Sequence, residues 1–157
     1  PMPITQDSAV TLAYKITDAR SGKPLDAGTT AYLHGGYDNL FPKVEAALAG
    51  LEVGQSIDLE LAARDAFGER DEALVRTIPR SEFPPGVKVG GQLQGAGPNG
   101  PMAYNVVKIK GPEVHLDGNH PLAGHDLRFA ATVKAVRAAT EEEITHRHVH
   151  GAHGHHH

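Results

Sequence analysis

The chain has 157 residues, 39% hydrophobic and only 5% aromatic, with a formal net charge of −4 when histidine is neutral. That charge excludes a broad electrostatic nucleic-acid binder, and the absence of Cys excludes disulfides and thiol chemistry. No apolar run reaches the roughly 18–20 residues of a membrane span, so neither nucleic acid nor a membrane is an expected partner.

The start of the chain is polar, so no secretory leader is expected and the cytoplasm is the default compartment. Val10, Leu12, Tyr14 and Ile16 alternate and predict a strand with one apolar face. Ser21 to Pro24 reads as a turn, and Thr30 to Leu33 as a short strand ending at Gly35-Gly36. Asn39 is a candidate N-cap for a helix that tolerates Pro42 in its first turn. Leu40, Val44 and Leu48 recur at four-residue spacing, with Phe41 and Leu51 beside them, and make one apolar stripe. Ile57, Leu59 and Leu61 alternate, as do Leu127, Phe129, Ala131 and Val133. Thr140 followed by Glu143 is a capping box and predicts a short helix.

The middle reads differently. Short strand candidates at Leu74–Ile78, Tyr104–Ile109 and Val114–Leu116 are separated by Gly and Pro clusters, and Gly95 to Pro101 reads as a loop. The flanking strand-rich segments look like two halves of one unit. The expected organisation is therefore a discontinuous domain over 3–73 and 125–144, an inserted domain over 74–124, and a tail over 145–157. An insert of that size cannot bury all its apolar residues. Val75, Val106 and Ile109 are expected in its core. Ile78, Phe83, Val87, Leu93, Met102 and Tyr104 are expected to form an exposed apolar surface of the kind that marks a binding site.

Seven of the eleven histidines fall at or after His146. Imidazole suits nickel, zinc and copper. His146, His148, His150 and His153 are the candidate ligands, and the chain is expected to unwind near His146 so that they project together. His155 to His157 are equally compatible with a purification tag. His34 and His120 are expected to be structural hydrogen-bonding residues.

The segments TLAYKI, KPLDAG, AYLHGGYDNLFPKVEAALAGLEVGQ, AARDAFGERDEALV and DGNHPLAGHDLRFAATVKAVRAATEEEI, followed by the histidines, occur in the order seen in SlyD-type FKBPs. The chain resembles that family over nearly its whole length. The resemblance implies an α+β fold: an FKBP-like antiparallel half-barrel wrapped on one helix, carrying a small β-rich insert-in-flap domain. It also implies a peptidyl-prolyl cis/trans isomerase, acting as a monomer on proline-containing unfolded polypeptides and coupled to chaperone capture by the insert. The tail of such a protein binds Ni2+ or Zn2+, with metalloenzyme maturation proteins as further partners. Isomerisation itself needs no cofactor. A holdase chaperone, or a nickel-handling protein with weak isomerase activity, is the alternative.

Carried over by motif, the catalytic pocket consists of Tyr14, Leu25, Asp26, Leu40, Phe41, Val44, Phe67, Leu122 and Phe129. Leu25 stands where the wider family usually has Phe, Val44 where many members have Trp, and Phe67 where Tyr is usual. The missing hydroxyl at Phe67 removes one hydrogen bond to substrate, about 0.5–1.5 kcal/mol. Lys43 replaces a common Gly and is expected to stiffen the approach to the helix. Residue by residue, Tyr14, Leu25, Val44 and Phe129 would otherwise read as ordinary core, and Asp26 as a turn residue.

Overall fold

The computed structural model describes residues 1–150, which divide into two compact units. Pro1–Gly68 and the described residues from His125 form the first, and Glu69–Gly124 the second. The elements in chain order are β1 (Ser8–Asp18), β2 (Pro24–Leu33), α1 (Pro42–Leu48), β3 (Ser56–Leu61), β4 (Val75–Pro79), β5 (Gln92–Gly97), β6 (Gly100–Lys110), β7 (Glu113–Asp117), β8 (Leu127–Ala138) and α2 (Glu141–His146). Among the described residues no helix is long and apolar enough to cross a membrane.

The first unit is an antiparallel sheet in the order β2-β1-β8-β3. Alternation does the work predicted of it. Val10, Leu12 and Ile16 of β1 and Leu127, Phe129, Ala131 and Val133 of β8 are buried on the same side of the sheet. A one-residue slip would turn each of these faces to solvent. The register does shift once, between Thr11 and Leu12, so that Val10 pairs with Val136 while Leu12 pairs with Val133. This bulge rephases β8, and Val136, which strict alternation would turn outward, packs on the core instead. Val44 and Leu48, one turn apart on α1, are fully buried against this face. β2 is longer than the short strand expected there.

Asn39 does not cap α1. The helix starts at Pro42 with Phe41 in the cap position and no side-chain cap bond. Asn39 instead accepts a hydrogen bond from the Leu33 N–H at 2.9 Å and donates to the carbonyls of Tyr37 (3.1 Å) and Arg147 (3.0 Å). The capping box of α2 is complete: Thr140 Oγ1 accepts from the Glu143 N–H at 3.1 Å and Glu143 Oε1 from the Thr140 N–H at 2.9 Å. Glu143 is buried, and the Arg137 guanidinium grips it with bonds of 2.7 and 2.8 Å. The Glu143 carboxylate also accepts from the His150 N–H at 2.6 Å. Glu143 thus ties β8, α2 and the chain beyond α2 together.

The second unit is an antiparallel sheet in the order β4-β7-β6-β5. Its core is Tyr104, Val106, Val114 and Leu116. Three expectations need correction. Tyr104 is buried at 1% exposure, because its ring packs across Gly95 and Gly118 and its hydroxyl donates to the Ala96 carbonyl at 2.6 Å. Val75 is exposed rather than core. Gly95 to Pro101 is not a loop throughout: residues 95–97 and 100–101 belong to the β5–β6 hairpin, whose turn is formed by 98–99. The unit begins at Glu69 rather than at 74 because its two ends bind each other. The Asn119 side chain accepts from the Asp71 N–H (2.8 Å) and donates to the Asp71 carbonyl (3.0 Å), and Arg70 pairs with Asp117 at 3.0 Å.

The Glu143 hub makes stability depend on pH. The Arg137 hydrogen bonds hold its carboxyl down at about 2 in the folded state, against an ordinary value of 4.5. A depressed carboxylate stabilises the fold fully above its unfolded pKa, and that contribution fades as pH falls toward 2. Glu143→Gln is expected to lower unfolding stability at pH 7 by on the order of 1–3 kcal/mol, with the difference from wild type shrinking between pH 5 and pH 3. Urea unfolding at each pH measures it; an equal difference at both would rule out the carboxylate as the cause.

Candidate active site and histidine cluster

A cavity of about 460 Å³ opens in the first unit. The antiparallel register builds one wall. Tyr14 of β1 lies opposite Gly28 of β2, and alternation puts Asp26 and Thr30 on the same face as Gly28. The Tyr14 ring crosses Gly28, close enough that a Cβ there would touch it at ordinary van der Waals distance. Its hydroxyl thereby reaches Asp26 and donates to Oδ2 at 3.0 Å. Asp26 Oδ1 accepts from the Ala27 N–H at 2.9 Å, so the carboxylate is held at both oxygens. Burial, followed by this bond to Asp26, pushes the Tyr14 hydroxyl above its ordinary pKa. The phenol stays neutral and its proton points at Asp26.

Three further rings complete the apolar lining. Phe129 stacks on Tyr14 with centroids 6.2 Å apart and planes 14° apart. Phe41 and Phe67 meet edge to face, at 5.0 Å and 90°. Ile16 and Leu40 fill in between, and residues 38–42 form the opposite wall. Among the described residues the charged lining residues are Asp26 and Asp38, and no Ser, Cys, His or Lys lines the cavity. Such a space can exclude water and orient a polar group.

Of the residues expected in the pocket, Tyr14, Asp26, Leu40, Phe41, Phe67 and Phe129 line this cavity together. Val44 is fully buried in the core and Leu25 packs half-buried against that core; neither lines the cavity. Leu122 belongs to the second unit, where its N–H donates to His120 Nδ1 at 3.0 Å. Ile16, Thr30, Asp38, Asn39 and Pro42 also line the cavity and were not foreseen. Alternation along β1 and β2 points to Ile16 and Thr30. Nothing periodic points to Asp38, whose backbone is left-handed (φ 60°), or to Asn39. Lys43 lies at the start of α1 and pairs with Asp65 at 2.9 Å. His34 is a buried hydrogen-bonding residue, 2.9 Å from the Tyr32 hydroxyl, and burial lowers its pKa.

Near the end of the described chain, His146, His148 and His150 offer ring nitrogens that all lie within 4.8 Å of one another. An extended chain is not what gathers them. α2 ends at His146, Arg147 takes a left-handed conformation (φ 64°), and the chain turns back on the helix end. His146 Nδ1 and His150 Nε2 are 3.1 Å apart. Tetrahedral coordination with metal–nitrogen bonds of about 2.0–2.1 Å would place ligand nitrogens about 3.3–3.4 Å apart. The three ring nitrogens would have to close up from a spread of up to 4.8 Å to hold one divalent ion together. A Glu142 oxygen lies 4.0 Å from His150 Nδ1, beyond hydrogen-bond distance. His153 lies outside the described residues.

No protein-family model matches the chain. Individual relatives do. The chain is 39% identical over 163 residues to the FKBP-type peptidyl-prolyl cis-trans isomerase SlyD of Escherichia coli K12, covering 97% of this chain and 80% of that protein. It is 39% identical over 160 residues to the protein of that name from Vibrio cholerae, covering 98% and 78%. To that of Haemophilus influenzae it is 35% identical over 163 residues, covering 97% and 82%. A cavity lined by aromatic rings and one oriented tyrosine–aspartate pair, and this identity along both units, lead to the same place: the chain belongs to the SlyD group of FKBP-type peptidyl-prolyl cis-trans isomerases.

Proposed function

We propose that the cavity accelerates Xaa-Pro rotation in unfolded or partly folded polypeptides, and that it does so by desolvation. Amide resonance sets a barrier of about 18–20 kcal/mol. The planar amide is polarised and well hydrated; the twisted transition state is less so. Replacing water with Tyr14, Phe41, Phe67 and Phe129 therefore disfavours the planar state more. A thousandfold acceleration requires only about 4 kcal/mol of such a difference. The observation that carries the reading is the Tyr14–Asp26 bond at the edge of an otherwise apolar lining. It fixes the aromatic wall and leaves Asp26 to orient the substrate electrostatically, with no proton transferred. Leu25 and Val44 serve by supporting the wall from the core, and Leu122 is retained as a pocket residue on the family resemblance alone.

The second unit is proposed as an insert-in-flap domain that captures unfolded chains in the cytoplasm and passes prolines to the cavity. Support comes from Ile78, Phe83, Val87, Leu93 and Met102, which are half-buried around its small core, and from exposed Val75, Val89 and Val107. The histidine cluster is proposed to hold Ni2+ or Zn2+, with His146, His148 and His150 as ligands and His153 as a fourth. A bound ion there would supply no chemistry to the isomerisation.

Three measurements test these roles. Exchange spectroscopy on a short Xaa-Pro peptide should show acceleration by the wild type. Phe41→Ala and Asp26→Asn should each reduce kcat/KM by about tenfold or more, about 1.4 kcal/mol or more of transition-state stabilisation. No acceleration by the folded wild type would end the isomerase reading and favour a holdase. Light scattering of a denatured test protein should show suppressed aggregation that weakens in Phe83→Ser and Met102→Ser; full suppression by the folded variants would exclude that surface. Calorimetric titration with Ni2+ should lose at least about tenfold in affinity in the His148→Ala/His150→Ala chain. An unchanged isotherm would move the site to the remaining histidines.

A further inference from the structure

The wall of the cavity formed by residues 38–42 is irregular, and side chains on and around it fix its shape. The Glu45 carboxylate accepts from the N–H groups of Gly35 and Gly36 at 3.2 and 3.1 Å. The Tyr37 hydroxyl donates to Asp7. Asn39 does the most. Its Oδ1 holds the Leu33 N–H at the end of β2, and its Nδ2 bridges the Tyr37 carbonyl and the Arg147 carbonyl. The last of these partners is 108 residues away in sequence. It is presented by the left-handed residue that ends α2, and the Arg147 guanidinium lies over the Tyr37 ring, 5.0 Å from its centroid. Two independent contacts therefore join the end of α2 to the loop that carries Asn39, Leu40 and Phe41 into the cavity. The helix end is itself anchored by Glu143, through Arg137 and the His150 N–H.

We propose that Asn39 is a positioning residue for peptide binding and that the Arg147 turn is its anchor, so that the cavity needs the chain beyond α2 in order to bind substrate well. The inference rests on the isomerase reading above. Asn39 acts through the backbone of Leu40 and Phe41, by keeping them at one distance from the Tyr14 wall. Loosening it should weaken peptide binding more than it slows the bound peptide.

Substitution at the two ends of the bond tests this. Asn39→Asp keeps the size and the acceptor for Leu33 but puts an oxygen where Nδ2 faces two carbonyls. Arg147→Pro cannot adopt a positive φ and removes the turn, whereas Arg147→Gly keeps both the conformation and the carbonyl. With an Xaa-Pro peptide, Asn39→Asp and Arg147→Pro are each expected to raise KM about tenfold while kcat falls less than about threefold. Arg147→Gly should stay within about threefold of the wild-type KM. The double variant Asn39→Asp/Arg147→Pro should be no worse than the poorer single one, since both cut the same tie. The amide resonances of Leu33 and Phe41 should move together in both single variants. A wild-type KM in folded Arg147→Pro would overturn the proposal. If that variant does not fold, a wild-type KM in Asn39→Asp overturns it alone. A wild type that accelerates nothing would instead defeat the isomerase reading, and the Leu33 and Phe41 resonances would still report whether the loop depends on Arg147.

Discussion

The first sheet has its last strand in the middle. β8 lies between β1 and β3, and Phe129 stands opposite Ile16 on one side and Leu59 on the other. The same ring stacks on Tyr14 and lines the cavity. Core and site therefore share Phe129 as well as Ile16, and both wait for a strand that comes after the whole second unit. This places a demand on where the chain leaves and returns. It leaves at Gly68, whose positive φ and N–H bond to the Ala63 carbonyl close a turn after β3. It returns at Asp126, whose side chain accepts from the Ala63 N–H and whose carbonyl accepts from the Ala19 N–H. His125, 2.7 Å from Asp18, fixes the neighbouring position and holds that carboxyl well below the usual range. The two crossing points are thus bonded into the first unit, and the intervening 69–124 can be a self-contained sheet without disturbing β8.

A cavity that works by excluding water can be made from residues that would be core anywhere else. This is why Tyr14 and Phe129, taken singly, look like packing. What separates them from packing is one polar contact. A tyrosine in a plain apolar face would need only to satisfy its hydroxyl. Here the partner is a carboxylate at the rim, itself fixed by the Ala27 N–H, and the ring reaches it by crossing β2 over Gly28. The arrangement holds an aromatic wall rigid at low entropic cost, since a ring stacked at one end and hydrogen-bonded at the other has little freedom left to lose. Phe67 takes part through its edge-to-face contact with Phe41, a contact that needs no hydroxyl.

Features governed by period were legible in the sequence; those governed by distant partners were not. Alternation identified β1, β3 and β8, the four-residue stripe identified α1, and Thr140 with Glu143 identified the start of α2. Asn39 looked like a cap because Asn caps helices, but its acceptor was claimed by Leu33 and its donors by Tyr37 and Arg147. Tyr104 looked like a surface residue because the insert seemed too small to hide it. Gly95 and Gly118 provide the space that hides it, and a list of apolar residues does not count glycines. The histidines were expected to gather in an extended chain. They gather because Arg147 is left-handed, a conformation unusual for a long side chain and held here by its N–H bonds back to Glu143 and Ile144. The residues of the pocket were assigned by resemblance, and the cavity contains most of them; Val44 and Leu25 lie behind the wall instead.

The order of synthesis sharpens the consequence of a central last strand. Residues 1–68 contain β1, β2, α1 and β3, but β1 and β3 do not pair with each other; β8 lies between them. The apolar faces of β1 and α1 have no closed core until Leu127 to Val133 arrive. The second unit faces no such delay, because every strand of its sheet and both halves of the Asp71–Asn119 clasp lie between 69 and 124. Loop-closure entropy adds to this difference: pairing β3 with β8 must span the second unit, and a folded, clasped insert shortens that span more than an unfolded one would. The local sheet is thus expected to form first and to bring β3 and β8 together, so that the unit containing the cavity is the one that depends on its insert to fold.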